Sequence, residues 1–150
     1  MIFQKIYPVA MSFLPAKMDS PEAKAMLFAI GMQESRFRHR RQVGGPARGF
    51  WQFELGGGVR GVLNHPSTSH HIKAILDVLQ YDNEPLNSYQ AIEHNDILAC
   101  CYARLLLWSL PQSLPMKGAT ERAWNMYLSA WRPGKPHRST WDAFYLEAWS

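Results

Sequence analysis

Glu34 is the residue whose surroundings in this sequence most favour chemistry. Ala23, Leu27, Ile30 and Glu34 fall at helical spacing with Met26 beside them, so an apolar stripe runs directly into a carboxylate. Apolar neighbours disfavour the anion, and the exposed carbonyls of a helix C-terminus repel it, so both influences raise the carboxyl pKa. A carboxylic acid that keeps its proton near neutral pH can deliver it to a leaving oxygen, the step that cleavage of a glycosidic bond requires. The basic residues Arg36, Arg38, Arg40 and Arg41 follow at once. Direct pairing with one of them would hold Glu34 ionised and make it an ordinary helix-terminal salt-bridge partner. The residue types alone leave both readings open.

A short way downstream come Gly49-Phe50-Trp51-Gln52 and Glu54, and much later Tyr127. Phe50 and Trp51 suit either a wall on which a sugar stacks or a plug in the core. Glu54, the only carboxylate between Glu34 and Asp77, is either a solvated partner of Arg48 or a second catalytic carboxylate. No metal site is expected from the six histidines, since adjacent His70 and His71 should point to different helix faces while His65 and His94 stand apart. Gly56-Gly57-Gly58 lacks the Lys-Ser/Thr ending and the preceding strand of a phosphate loop and reads as a bend.

The elements that must position these residues read as helices throughout. Asp19-Ser20-Pro21-Glu22 offers a capping serine, a proline suited to the first turn and an acid complementing the positive end. From Arg38 to Gly61 the periodicity is lost, and the segment reads as a glycine-rich loop that would carry a site. Pro66-Ser67-Thr68 opens an amphipathic helix with Ile72, Ile75, Leu76 and Leu79 on one side, ending near Asn83 and Pro85. Residues 95–109 are apolar nearly all round, the mark of a buried central helix. Thr120 is placed to cap a helix carrying Trp124, Tyr127, Leu128 and Trp131, and Ser139-Thr140 starts a last one with Trp141, Phe144, Tyr145 and Ala148. No alternating strand pattern, repeat or linker competes. The expectation is an all-α chain, residues 1–150 forming one compact helical domain around a glycine-rich active-site loop.

Composition bounds the partners. With 47% hydrophobic and 13% aromatic residues the chain of 150 is too apolar for disorder and long enough for a core of its own. A net charge of +4 favours an anionic partner without choosing among nucleic acid, acidic wall polymer and anionic lipid. Cys100 and Cys101, neighbours in an apolar stretch, read as reduced core residues. No apolar run is long enough for a membrane span. The segment from Ile6 to Leu14 is interrupted by Pro8 and Ser12, so a cleaved signal is not expected and the product should be made in the cytoplasm.

Glu34-Ser35, Gly49-Phe50-Trp51-Gln52 and Tyr127, in that order and rough spacing, resemble the soluble lytic transglycosylases and goose-type lysozymes, whose motifs are a Glu-Ser pair, a Gly-x-x-Gln element and a late Tyr-containing helix. The sequence departs from that pattern in having Trp51 where the family has a small residue or Met, and Met126-Tyr127-Leu128-Ser129-Ala130 in place of Ala-Tyr-Asn-Ala-Gly. The run Trp131 to Pro136 is similar to a loop of the small endolysin-like proteins of bacteriophages and prophages. The resemblance implies a lysozyme-like fold acting on peptidoglycan glycan strands, with Glu34 as catalytic acid and Ser35, Phe50, Trp51, Gln52 and Tyr127 at the substrate. In such a role Ser35 orients the acid, Gln52 offers an amide and Tyr127 places a hydroxyl nearby.

It further implies a lytic transglycosylase, in which the N-acetyl group and 6-hydroxyl of the substrate replace a second carboxylate and one glutamate is first acid and then base. The scarcity of loop carboxylates favours that over a hydrolytic lysozyme using Glu54. Neither metal nor cofactor is required. A monomer is expected, reaching the periplasmic wall after lysis, pore formation or virion delivery. Two readings of other kinds compete: a basic nucleic-acid-binding module using Arg36, Arg38, Arg40, Arg41 and Arg48, although no nucleic acid is expected as partner, and a non-catalytic virion protein.

Overall fold

A computed structural model describes residues 1–150 as eight α-helices with no β-strand, one all-α domain. They are α1 (Phe3–Ser12), α2 (Pro21–Ser35), α3 (Arg60–Asn64), α4 (Ser69–Val78), α5 (Pro85–His94), α6 (Asp96–Trp108), α7 (Thr120–Trp131) and α8 (Arg138–Ala148). No helix is long and apolar enough to cross a membrane. Helix α6 is the central one. The Asn95 side chain caps it by accepting from the Leu98 N–H at 3.0 Å, and it packs against α1, α2, α3, α4 and α5 with Cys100 and Cys101 fully buried. Helix α8 lies against both α2 and α7. That placement brings the end of α2, which carries Glu34, to the face of α7 that carries Tyr127.

Helix α2 starts where its signals say. Ser20 Oγ accepts from the Ala23 N–H at 3.0 Å and Pro21 takes the first helical position. It is buried on more than one side, with Ala25, Phe28 and Ala29 in the core as well as the Ala23, Leu27 and Ile30 stripe. The start of α4 is also as read, and the boundaries of α7 and α8 differ by a residue or two. Ala119, not Thr120, precedes α7, and α8 begins at Arg138.

Three helices escape the sequence reading: the five-residue α3, at the end of the glycine-rich segment and too short to show a period, and two others because of a proline. Helix α1 holds Pro8 in its interior, which removes one backbone donor, yet Phe3, Ile6, Tyr7, Ala10 and Met11 are all buried and packing outweighs the lost bond. Pro85, read as a sign that α4 has ended, instead opens α5; proline suits both positions, and only tertiary packing distinguishes them. Helix α4 itself stops at Val78, with Gln80 in the left-handed region at φ 65°. His70 and His71 also depart from expectation: their ring centroids are 3.9 Å apart, so the side chains turn toward each other at the start of α4.

The C-terminus of α2 is closed by an unusual reversal. Arg36 and Phe37 both adopt left-handed backbone, φ 55° and 53°, which costs non-glycine residues energy and needs support from around them. The Arg36 N–H returns to the carbonyls of Gly31 and Met32, both at 3.1 Å. Ser35 Oγ donates to the Gly31 carbonyl at 3.2 Å and accepts from the Phe37 N–H at 3.1 Å. The chain thereby turns Phe37 back onto α2, where its ring occupies the place a side chain at Gly31 would need: a Cβ there would sit 2.1 Å from Phe37 Cζ. Replacing Gly31 with alanine should therefore destabilise the fold by about 1–3 kcal/mol despite alanine's better helix propensity, measurable as a lowered urea midpoint.

Candidate active site

The loop between α2 and α3 is irregular, as its composition implies, but it is well tied. Isolated bridges join Arg41 to Arg48 and Arg48 to Phe53, and the Arg48 and Phe53 N–H groups exchange bonds with each other's carbonyls at 2.9 and 2.8 Å. Gly49 adopts φ 76° and lies so close to α5 that a Cβ would meet Ile92 Cγ2 at 2.6 Å, so only glycine fits. The tight turn that follows puts Gln52 in left-handed backbone at φ 54°, aimed away from the core into which Phe50, Trp51 and Phe53 point. Trp131 at the end of α7 donates its indole N–H to the Trp51 carbonyl at 2.8 Å. The loop is therefore fastened to the helix that carries Tyr127.

Glu34, Gln52, Glu54 and Tyr127 line one cleft of about 540 Å³, together with Gln33, Gln42, Trp131 and the α7–α8 loop from Arg132 to Lys135 with His137. The Tyr127 hydroxyl donates to Glu34 Oε2. Tyr127 is itself buried, stacked at 5.2 Å and 10° on Trp141, whose indole N–H donates to the Thr120 carbonyl at 3.2 Å. A tyrosine held that firmly fixes the orientation of the carboxyl it touches.

Electrostatics in the cleft favour a protonated Glu34. Burial is the largest influence and raises its pKa; the Tyr127 hydrogen bond lowers it by stabilising the anion; the charge of Glu54 raises it again. The balance is a pKa of about 7. Four of the arginines that follow Glu34 in the sequence are engaged elsewhere. Arg40 pairs with Asp96 at 2.8 Å, Arg41 and Arg48 pair with Glu93 at 3.0 and 3.2 Å, and Arg36 stacks over Phe144. No ion pair involves Glu34, and Glu54 does not pair with Arg48. Tyr127's own pKa is raised, by burial first and then by the Glu34 charge, so it remains a donor at any ordinary pH. Tyr127→Phe should move the titration of the Glu34 carboxyl to higher pH, as NMR would follow it, because the influence that stabilises the anion is lost.

Three expected site residues are not at the cleft. Phe50 and Trp51 are core plugs rather than a sugar-stacking wall: they are 2% and 1% exposed, and the Trp51 indole N–H is spent on the Leu27 carbonyl at 2.9 Å. They pack edge-on against Phe37, each with ring centroids 5.5 Å away. Ser35 is 3% exposed and bonds only to the backbone reversal after α2, so it fixes the helix end and does not orient the carboxyl directly. Gln52 does reach the cleft, with its Nε2 donating to the Gly49 carbonyl at 2.9 Å and its Oε1 left as the group available to a ligand.

The tryptophan actually at the cleft is Trp131. Gln33 and Gln42 also line it and escaped the sequence reading. Gln33 sits one residue before Glu34, its Nε2 donating to the His137 carbonyl at 2.8 Å while its Oε1 accepts from Thr140 at 2.9 Å. These bonds hold the basic α7–α8 loop over the acid. The run Trp131 to Pro136 was visible in the sequence as a distinct loop, but no spacing rule places it opposite Glu34. No protein-family model, curated protein or solved structure matches the chain.

Proposed function

We propose that the chain is a peptidoglycan-cleaving enzyme in which Glu34 acts as general acid on the β-1,4 bond between N-acetylmuramic acid and N-acetylglucosamine. The observation that carries the reading is a glutamate with a pKa near 7, in no ion pair and held by Tyr127 in an open polar cleft. Glu34 gives its proton to the glycosidic oxygen as the C1–O bond breaks. The choice of substrate rests on the sequence resemblance to lytic transglycosylases and goose-type lysozymes. Following that resemblance, the N-acetyl oxygen of the substrate assists departure. The 6-hydroxyl then attacks C1 and returns its proton to the Glu34 carboxylate, closing a 1,6-anhydro ring.

One observation favours a second reading, hydrolysis. Glu54 lines the same cleft and its charge is felt at Glu34, so it is placed to serve as the second carboxylate of a lysozyme. Glu54→Gln separates the two. Removing its charge lowers the pKa of Glu34, so the alkaline limb of activity should shift to lower pH in either case. A transglycosylase should keep its plateau rate to within a few-fold, whereas a hydrolase should lose about 10²-fold or more.

The competing nucleic-acid reading is weakened because Arg40, Arg41 and Arg48 of its five arginines are paired with carboxylates of the chain itself. The wall is reached, on the proposed reading, after lysis, through a pore or from a virion. Digestion of purified peptidoglycan followed by mass analysis of the fragments tests the function: 1,6-anhydro ends are expected, reducing ends would establish lysozyme chemistry instead, and intact glycan would end the enzymatic reading.

A further inference from the structure

A second and larger cavity, about 700 Å³, lies at the opposite end of α2 and shares no lining residue with the Glu34 cleft. From Ser20 to Glu34 the helix spans about 20 Å at its usual rise. The cavity is bounded by the end of α6, the segment after it and the turn before α2. At its base is Arg104, only 3% exposed and in no ion pair of the chain. Its Nε donates to the Met18 carbonyl at 2.7 Å, and that is its one hydrogen bond to the protein. The two terminal nitrogens are unpartnered yet not sealed in the interior, so they reach the cavity that the residue lines. A guanidinium removed from water without a carboxylate is costly, and a fork of free N–H donors at the base of a pocket suits bidentate binding of an oxyanion.

The rest of the lining defines the ligand further. Trp108 carries both cations of the pocket near its ring, Lys17 Nζ at 5.3 Å and Arg104 Cζ at 5.6 Å from its centroid. Leu107, Leu110, Leu114 and Met116 supply apolar surface. Glu22 is the one acid in the lining and leaves a single net positive charge, while Asp19, bonded to the Tyr7 hydroxyl at 2.7 Å, lies close enough to influence Arg104. With Asp19 counted, no excess positive charge remains for a dianion, whereas the paired donors of the Arg104 fork suit the two oxygens of one carboxylate. The far wall is anchored and is not a loose loop. Arg122 donates to the Ser113 carbonyl, and Tyr145 donates to the Met116 carbonyl at 2.8 Å.

We infer that this pocket is a binding site for an amphiphilic monocarboxylate, with the carboxylate on the Arg104 fork assisted by Lys17 and the apolar body against Trp108 and the leucines. The volume is in the range of small-molecule sites, and the combination of a few polar groups with an apolar wall is their usual chemistry.

Titration of the 15N-labelled chain with sodium octanoate, following the Trp108 indole signal by NMR, tests this. Saturable shifts centred on Trp108 are expected, with octanamide binding at least tenfold more weakly. Arg104→Met should abolish binding; because it replaces an unpaired buried charge with an apolar side chain of similar length, the variant should fold. Exposed Lys17→Gln, about threefold weaker, gives an independent reading should Arg104→Met not fold. Glu34→Gln should bind octanoate as wild type does, which separates this site from the proposed enzymatic one. Absence of saturable shifts, or octanamide binding as well as octanoate, would overturn the site. Octyl phosphate binding more tightly than octanoate would overturn its assignment to carboxylates.

Discussion

Glu34→Gln should reduce kcat on peptidoglycan about 10³-fold and at the same time make the protein more stable above neutral pH. The two effects have one origin. The glutamine amide keeps the shape of the side chain and still accepts from Tyr127, but it has no proton to give and no charge to bury. In wild type the Glu34 pKa rises from an ordinary 4.5 to about 7 in the folded state. Between those values the folded chain holds a proton that the unfolded chain has released, so stability falls as pH rises through this window, and the full penalty is present above pH 7.

Discounted for the partly open cleft, the penalty is on the order of 2–3 kcal/mol. The glutamine variant escapes it, so its gain in melting temperature should be absent at pH 4, grow between pH 4.5 and 7 and level off beyond. A stabilised but inactive variant is what a strained catalytic acid produces. An ordinary surface salt-bridge partner, once removed, would instead leave the protein unchanged or slightly weaker. The wild-type kcat should fall tenfold per pH unit above 7 as the acid loses its proton.

The largest loss of stability among the residues near the loop is expected from Trp51→Ala. Its ring is fully buried, packed edge-on against Phe37, and its indole N–H satisfies the Leu27 carbonyl, so truncation leaves a large cavity and removes a buried hydrogen bond. The cost should be about 4 kcal/mol, a large share of the 5–15 kcal/mol that holds a domain of this kind together. Denaturant titration should show it directly. A sugar-stacking tryptophan would behave in the opposite way, raising KM with little change in stability. Trp131→Ala is the useful contrast, since that ring lines the cleft and is only half-buried.

The helical fold was legible because its helices are amphipathic or wholly apolar over ten residues or more, a pattern that period and capping residues report locally. Of the three missed helices, α3 is only five residues long and the other two contain or begin with proline, where a local rule cannot weigh one lost donor against five buried side chains. The raised pKa of Glu34 was legible for the same local reason: the stripe Ala23, Leu27, Ile30 leads to Glu34, and the helix end is where its carbonyls are exposed.

What stood beyond reach was everything set by partners distant in sequence. Arg40 and Arg41 looked like candidates to neutralise Glu34. They are instead drawn off by Asp96 and Glu93 at the α5–α6 junction, and no spacing along the chain announces that choice. Phe50 and Trp51 illustrate the same limit. In a loop, neighbouring aromatic side chains have no period to tell which faces the core, and here the reversal at Gly49 sends both inward and leaves Gln52 at the cleft. The resemblance placed Ser35 beside the acid; the left-handed pair Arg36 and Phe37 shows why a hydroxyl belongs there on purely structural grounds.

The proposed role of Glu34 requires a proton on its carboxyl near neutral pH, and the most direct measurement is an NMR titration of its 13C-labelled side-chain carboxyl in the wild-type chain. A midpoint near 7, moving up in Tyr127→Phe and down in Glu54→Gln, is the result expected. A midpoint near 4.5, unmoved by either substitution, would show a carboxylate ionised throughout the physiological range and contradict its role as the acid.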